Sequence, residues 1–160
     1  MLNYTKKTLK HFYQPHRFGK IKNPSGVGEV GNLMCGDIMR LYLKIKKNKK
    51  GEEIIKDIKF ETFGCIAAIA TSSILTDLAI NRPIKEALKI KAQDIIQNLG
   101  GLPKIKYHCS LLADDALSEA IYDYFKKNHQ PVPSALEKRH QLMQKSKEKL
   151  AQKFKISFST

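Results

Sequence analysis

The sequence has no uninterrupted apolar stretch of about eighteen residues, so no membrane-spanning helix is expected. Its first residues, Met1-Leu2-Asn3-Tyr4, form no continuous apolar run before a small-residue cleavage site, and no signal peptide is expected either. Cysteine is scarce and odd in number, three in 160 residues. Without secretory features, that argues against a disulfide framework and for a reducing, cytoplasmic compartment. There is no internal repeat, no low-complexity segment and no Cys-x-x-Cys pair. The glycine-rich stretch Asn23-Pro24-Ser25-Gly26-Val27-Gly28-Glu29-Val30-Gly31 lacks the Gly-Lys-Ser/Thr ending that grips a nucleotide. It reads as a loop or an irregular edge strand.

What is present is charge of one sign. Lys and Arg number 29 against 15 Asp and Glu, a net charge of +14. One reading is an anionic partner, whether nucleic acid, a membrane surface or an acidic protein. The other is a lysine-rich solvated surface. The charge is mostly lysine and is spread out, as in residues 44–50 and 138–155. Base readout and stacking favour arginine and aromatics interleaved with the charge, and that interleaving is weak. The second reading is preferred, with neither nucleic acid nor membrane expected as a partner.

Hydrophobic residues make up 42% of the chain, enough for one core. Residues 3–13 read as a short helix, with Leu9, Phe12 and Tyr13 at helical spacing and Pro15 as its stop. Met39, Leu41, Leu43 and Ile45 alternate with Arg40, Tyr42, Lys44 and Lys46. After the turn Asn48-Lys49-Lys50-Gly51, Ile58, Phe60 and Thr62 alternate with Asp57, Lys59 and Glu61. This is a hairpin with one buried and one wet face. The period then changes. A helix is predicted from Cys65 to Ala79, apolar nearly all round and so central. Pro83 suits the first turn of a short helix to about Ile90. Residues 94–99 form a further turn or two, stopped by Gly100-Gly101. The last core helix is predicted over residues 110–127, with Asp114 and Asp115 in its first turns favouring the positive dipole end. Beyond Pro131-Val132-Pro133 lies a basic tail whose Leu136, Met143, Leu150 and Phe154 fit a docked helix. The domain is placed at residues 1–129 and a basic, helical extension at 130–160.

The chemistry is expected at the cysteines, each at an element boundary: Cys35 in Met34-Cys35-Gly36-Asp37, Cys65 in Phe63-Gly64-Cys65, and Cys109 in Tyr107-His108-Cys109-Ser110. At a helix start, unpaired N–H groups and the dipole favour the thiolate, which is both nucleophile and metal ligand. His108 adds an imidazole and Asp37 a carboxylate. Three thiolates and an imidazole suffice for zinc or for the iron of a small cluster. By spacing alone the pattern is weak, because a single cysteine is more often a small buried hydrophobe. A basic zinc-binding module on nucleic acid, and a hydrolase using the His108–Cys109 pair, are the alternatives. The second lacks an oxyanion-hole motif.

Taken together, Cys35-Gly36-Asp37, Thr62-Phe63-Gly64-Cys65 followed by Ala67-Ala68-Ile69-Ala70-Thr71-Ser72-Ser73, and His108-Cys109-Ser110 resemble the iron–sulfur assembly scaffolds of the IscU and NifU N-terminal family. Tyr4, His11-Phe12, Pro15 and Gly100-Gly101-Leu102-Pro103 also fit, so the resemblance runs from about Tyr4 to Lys127. It implies an α+β fold: a small three-stranded antiparallel sheet, its third strand within residues 27–33, packed on one face by helices. A metal site lies at one end, with Cys35, Asp37, Cys65, His108 and Cys109 as ligands. The role implied is a scaffold rather than an enzyme. It would bind Fe2+, accept persulfide sulfur on Cys109 or Cys35, and build a transient [2Fe-2S] cluster for transfer to apoproteins, with Zn2+ as an occupant when the cluster is absent. The implied partners are a cysteine desulfurase, ferredoxin, a frataxin-like protein in some lineages, and an Hsp70-type chaperone with its J-protein. The chain itself would be a monomer or weak homo-oligomer. The chaperone-recognition motif Leu-Pro-Pro-Val-Lys reads Leu102-Pro103-Lys104-Ile105-Lys106 here, without the second proline. Ile66 stands where many relatives carry glycine. The tail lacks the further cysteines of full-length NifU, and no SufU-type insertion separates Thr76 from Pro83.

Overall fold

The computed structural model of the chain describes residues 3–32 and 36–154, so Cys35 lies outside the described residues. The element order is α1 (Lys6–Tyr13), β1 (Gly26–Asn32), β2 (Asp37–Lys47), β3 (Glu53–Phe63), α2 (Ile66–Ala79), α3 (Ile84–Ala87), α4 (Ala92–Asn98), a 3-10 turn (Lys104–Lys106), α5 (Tyr107–Lys127) and α6 (Ser134–Phe154). The three strands form one antiparallel sheet in the order β1-β2-β3. Helices cover one face, which is the α+β arrangement expected.

The β2–β3 hairpin follows the alternation in the sequence. Met39, Leu41, Leu43 and Ile45 are buried, together with Ile58 and Phe60 across the ladder. The turn is closed by Asn48, whose Oδ1 accepts from the backbone N–H groups of Lys50 and Glu52. The strand β3 begins earlier than the alternation suggests. Lys44 pairs with Asp57 but Ile45 pairs with Ile55, a bulge that leaves Lys56 unpaired. It resets the period, so that Ile55 and Ile58 are both buried.

The glycine-rich stretch is an edge strand, and its glycines have a packing cause. A Cβ on Gly28 would stand 2.3 Å from the Ala116 carbonyl oxygen, and one on Gly26 would stand 2.3 Å from that of Ala120. Helix α5 lies directly on β1, and only glycine admits that approach.

Helix α2 is central, as its composition predicts. Its hydroxyls are absorbed locally: Ser72 donates to the Ala68 carbonyl at 2.7 Å, and Thr76 to that of Ser73 at 2.7 Å. Helix α1 lies against α2. It is capped by Thr5, which accepts from the Thr8 N–H.

Three boundaries differ from the sequence reading. Pro83 caps α3 from outside rather than opening its first turn, and α3 ends at Ala87. Helix α5 starts at Tyr107 rather than Ser110. Asp114 and Asp115 therefore lie beyond its first turn and do not serve the dipole; both instead hold Arg139 of α6. In α6, Leu136 is buried while Met143 and Leu150 are only half-buried; the Phe154 side chain lies outside the description. Polar contacts supply much of the rest of the docking. Pairing of Glu137 with Tyr122, His140 with Glu119 and Arg139 with Asp115 runs α6 antiparallel to α5, back toward the cysteine end. Among the described residues, no helix is long and apolar enough to cross a membrane.

Candidate metal centre

Three elements converge at one end of the sheet. The start of β2 brings Asp37, the cap of α2 brings Cys65, and the first turn of α5 brings His108 and Cys109. Cys65 has extended backbone (φ −81°, ψ 178°) at the cap of α2, and its sulfur faces Cys109. Gly64 makes the approach possible. A Cβ there would stand 2.8 Å from that of Ala68 and 3.0 Å from the Asp37 carboxylate. Glycine before Cys65 is thus what lets Asp37 lie against the strand-to-helix junction.

The two described sulfurs are 3.8 Å apart and unbonded. That is far beyond the S–S length of about 2.05 Å in a disulfide. Two thiolates on one tetrahedral ion, with bonds of about 2.3 Å, stand about 3.8 Å apart, so the pair is already spaced for a shared metal. Cys109 Sγ also lies 3.8 Å from Asp37 Oδ2. One donor atom from each of Asp37, His108 and Cys109 falls within 4.8 Å of the others. Four of the five expected ligands therefore come together, and the fifth, Cys35, is outside the described residues.

Electrostatics divide the two thiols. Cys65 is lowered to about 5, first by its hydrogen bond with Cys109 and then, against the opposing burial, by the Ala68 and Ala67 N–H groups. Cys109 is almost wholly buried. It is pushed up, first by serving as donor to Cys65 and then by burial. The hydrogen bond between the two sulfurs thus favours the thiolate on Cys65 and the thiol on Cys109.

His108 supplies the sharpest observation. Its Nε2 is buried and has no hydrogen-bond partner among the described residues. A buried polar atom normally finds a partner. A ring nitrogen of this residue also stands with the Cys109 thiol and the Asp37 carboxylate, a donor set that fits a cation.

Two further residues belong to this end. The Lys106 ammonium is raised chiefly by the Cys65 charge, and the Tyr4 hydroxyl is raised by burial and then by the same charge. In the sequence Lys106 falls in the candidate partner-binding motif, and Tyr4 only in the family resemblance. Nothing in their local sequence points to a thiolate so far away in the chain. Of the proposed partner-binding segment, Leu102 is buried in the core, Pro103 is half-buried, and Lys104 and Ile105 are exposed. Ile38, Phe63, Ile105, Tyr107 and Leu111 are exposed large apolar side chains, all close in sequence to the ligands.

The description "NifU-like N terminal domain" is that of the family model matching residues 3–131, and the chain belongs to that family. It is 54% identical over 125 residues to the iron–sulfur cluster assembly scaffold protein IscU 1 of Archaeoglobus fulgidus, covering 78% of each chain. It is 42% identical over 124 residues to the IscU scaffold protein of Aquifex aeolicus, covering 78% of this chain and 77% of that one. Its fold is similar to the crystal structure of the N-terminal part of a NifU-like protein from Brucella abortus. That match has a TM-score of 0.56 and 21% identity, over 77% of this chain and 94% of the other. Helix α6 begins beyond the matched segment.

Proposed function

We propose that the chain is an iron–sulfur cluster assembly scaffold, with the cluster as its cargo rather than a resident cofactor. The observation that carries this reading is the gathering of Cys65, Cys109, Asp37 and His108 at one end of the sheet. The names of the relatives at 54% and 42% identity support it. Cys35 completes the ligand set in this proposal, and a [2Fe-2S] cluster is the cargo it suits.

Ferrous iron enters first and displaces the proton shared between Cys65 and Cys109, which leaves both sulfurs as thiolates. A scaffold thiolate then attacks the outer sulfur of a persulfide on a cysteine desulfurase. The S–S bond breaks, the sulfur moves across, and the desulfurase cysteine leaves as a thiolate. Two electrons per sulfur, from a ferredoxin-class donor, bring it to sulfide. Cys35 and Cys109 are the acceptors proposed from the sequence. Cys109 is almost wholly buried and Cys65 only half-buried, so Cys65 is the more accessible sulfur and belongs in the same test. Mixed thiolate, imidazole and carboxylate ligation holds a cluster less firmly than four buried thiolates, as onward transfer to apoproteins requires. The same donors suit Zn2+ when sulfide is absent. The apolar side chains around the ligands offer docking area to the desulfurase, and exposed Ile105 is the point a chaperone would grip. Unbridged thiols at this spacing suit a reducing compartment.

Anaerobic reconstitution with ferrous iron, cysteine and a desulfurase tests the reading. Visible absorption and a Mössbauer doublet should appear in the wild type and be lost in Cys35→Ala, Cys65→Ala and Cys109→Ala. A folded wild type that develops no chromophore would overturn it.

A further inference from the structure

A second group of metal-ligating side chains lies outside the cysteine pocket. His11 lies in the last turn of α1, His16 follows it past Pro15, and Asp77 sits in the last turn of α2. Asp77 comes twelve residues after Cys65, about 18 Å along the helix at 1.5 Å per residue. One donor atom from each of the three lies within 4.8 Å of the others. The imidazole rings stand 4.7 Å apart, tilted by 58°.

Each member is held by a partner of its own. His11 is nearly wholly buried, and its Nδ1 lies 2.8 Å from Ser73 Oγ. The same hydroxyl accepts from the His16 backbone N–H at 2.8 Å. Ser73 thus fixes both histidines at once. The His16 Nδ1 lies 2.8 Å from Asp77 Oδ2. Arg17 donates to the other oxygen, Oδ1, at 2.5 Å. Metal-binding sites are commonly supported in this way, with outer hydrogen bonds orienting the imidazoles and the carboxylate.

From this geometry we infer that His11, His16 and Asp77 form a second metal site, for a divalent ion that prefers imidazole, which ties the N-terminal segment to α2. Zn2+ is the ion its chemistry favours. Donors on a tetrahedral ion with bonds of about 2.0–2.1 Å stand about 3.3 Å apart, between the 2.8 Å of the His16–Asp77 pair and the 4.8 Å that bounds the trio. The ion replaces the hydrogen bond between His16 and Asp77, and the neutral imidazole carries its N–H on the nitrogen turned away from the ion. Arg17 places a positive charge beside the carboxylate. That disfavours Mg2+ and Ca2+, which depend on oxygen and charge, more than Zn2+, Co2+ or Ni2+, which gain from two imidazoles. The site does not depend on the scaffold reading, because it shares no ligand with the cysteine pocket.

Co2+ is the probe, added anaerobically to the full chain without sulfide. Thiolate-to-cobalt charge transfer in the near ultraviolet marks the cysteine pocket, and an imidazole–carboxylate site contributes only weak visible bands. The wild type should bind two equivalents, one of them without charge transfer. His16→Ala, at a largely exposed side chain, should lose that equivalent alone, and Asp77→Asn should do the same. His129→Ala, a histidine outside both groups, should keep both. In parallel, the His11 and His16 imidazole nitrogen resonances of the wild type should shift with the second equivalent of Zn2+. A wild type that takes up only the charge-transfer equivalent, or an unchanged count in His16→Ala, overturns the inference. Loss of the charge-transfer equivalent alone would count against the cysteine pocket and leave this site standing.

Discussion

Helix α5 carries two polar clusters, and they are finished in opposite ways. Midway along it, Asp114, Asp115 and Glu119 meet α6. Arg139 reaches Asp114 at 3.0 Å and Asp115 at 2.6 Å, and His140 reaches Glu119 at 2.9 Å. The His140 ring stacks on Tyr122 at 3.8 Å. Each of these polar side chains has a partner across the seam. At the first turn of the same helix, Cys109 points at a second thiol and a carboxylate, and His108 keeps a buried nitrogen with no partner among the described residues. Unmet polar groups normally cost stability, so a fold retains them where something else completes them. The seam holds the chain together, and the pocket is left to be completed by its cargo. Substitution should separate the two: stability falls when the seam is cut, loading falls when the pocket is cut.

The largest effect expected is on loading. Cys109→Ala should bring reconstituted cluster down to background, while the melting temperature of the metal-free protein moves by only a few degrees, in line with about 1 kcal/mol for a small buried side chain. Absorption and thermal melts on the same samples check this. A variant that loads normally would erase the contrast between the clusters.

The next effect is on Cys65, whose thiolate owes most to its hydrogen bond with Cys109. Alkylation of Cys65 in the metal-free wild type should titrate near pH 5, and in Cys109→Ala its midpoint should climb toward the ordinary thiol value of about 8.5. The sign of the stability change follows. A lowered folded pKa contributes stability above the unfolded value, and that stability is lost as pH falls through about 5. Cys109, being raised, keeps a proton that the unfolded chain gives up at alkaline pH. The pair therefore stabilises the metal-free fold most near the ordinary thiol pKa and less on either side. Urea melts from pH 5 to 10 should show that maximum in wild type and lose it when both cysteines are serine.

Cutting the seam comes third. Arg139→Ala leaves Asp114 buried without a counter-charge, with only the Ala92 N–H donating to it, beside the half-buried Asp115. Fully buried pairs cost about 3–5 kcal/mol when one partner is removed. Arg139 is 27% exposed and Asp115 is 35% exposed, so about 1–3 kcal/mol is expected, with faster amide exchange along α6 and unchanged cluster loading. A loading defect in this variant would show that α6 serves the pocket as well as the fold.

Legibility from sequence follows the same division. The β2–β3 hairpin and the central α2 were readable because burial imposes a period, and Met39, Leu41, Leu43 and Ile45 obey it. The bulge at Ile45 was not, because one unpaired residue leaves no mark on composition. Gly26 and Gly28 read equally well as loop. What makes them strand is the α5 backbone lying on them, a contact between segments some ninety residues apart. The start of α5 was missed because Lys106 gives no side-chain cap and the first turn has no acidic residue. Asp114 and Asp115 looked like the first turn for that reason. At the site, helix-start positions and glycine neighbours flagged the cysteines, but their convergence came from the family resemblance and not from spacing. The orphaned His108 nitrogen and the places of Tyr4 and Lys106 are tertiary facts with no local trace.

The smallest effect expected sharpens the comparison most, because its sign is reversed. Asp37 is 5% exposed and 3.8 Å from the Cys109 sulfur, held against Gly64 at the junction. It offers a hard oxygen in a set of softer donors, and iron of a cluster is held more firmly by thiolate and imidazole than by carboxylate. Asp37→Ala therefore removes the weakest member of the proposed ligand set and a carboxylate that disfavours thiolate formation on Cys109. Cluster release to an apoprotein should slow by several-fold, about 1 kcal/mol in barrier, while loading persists. In the seam, removing a charged group weakens what the molecule holds; in the pocket, removing this one strengthens it. Anaerobic transfer kinetics followed by circular dichroism decide the matter, and a rate unchanged from wild type would strip Asp37 of any part in release.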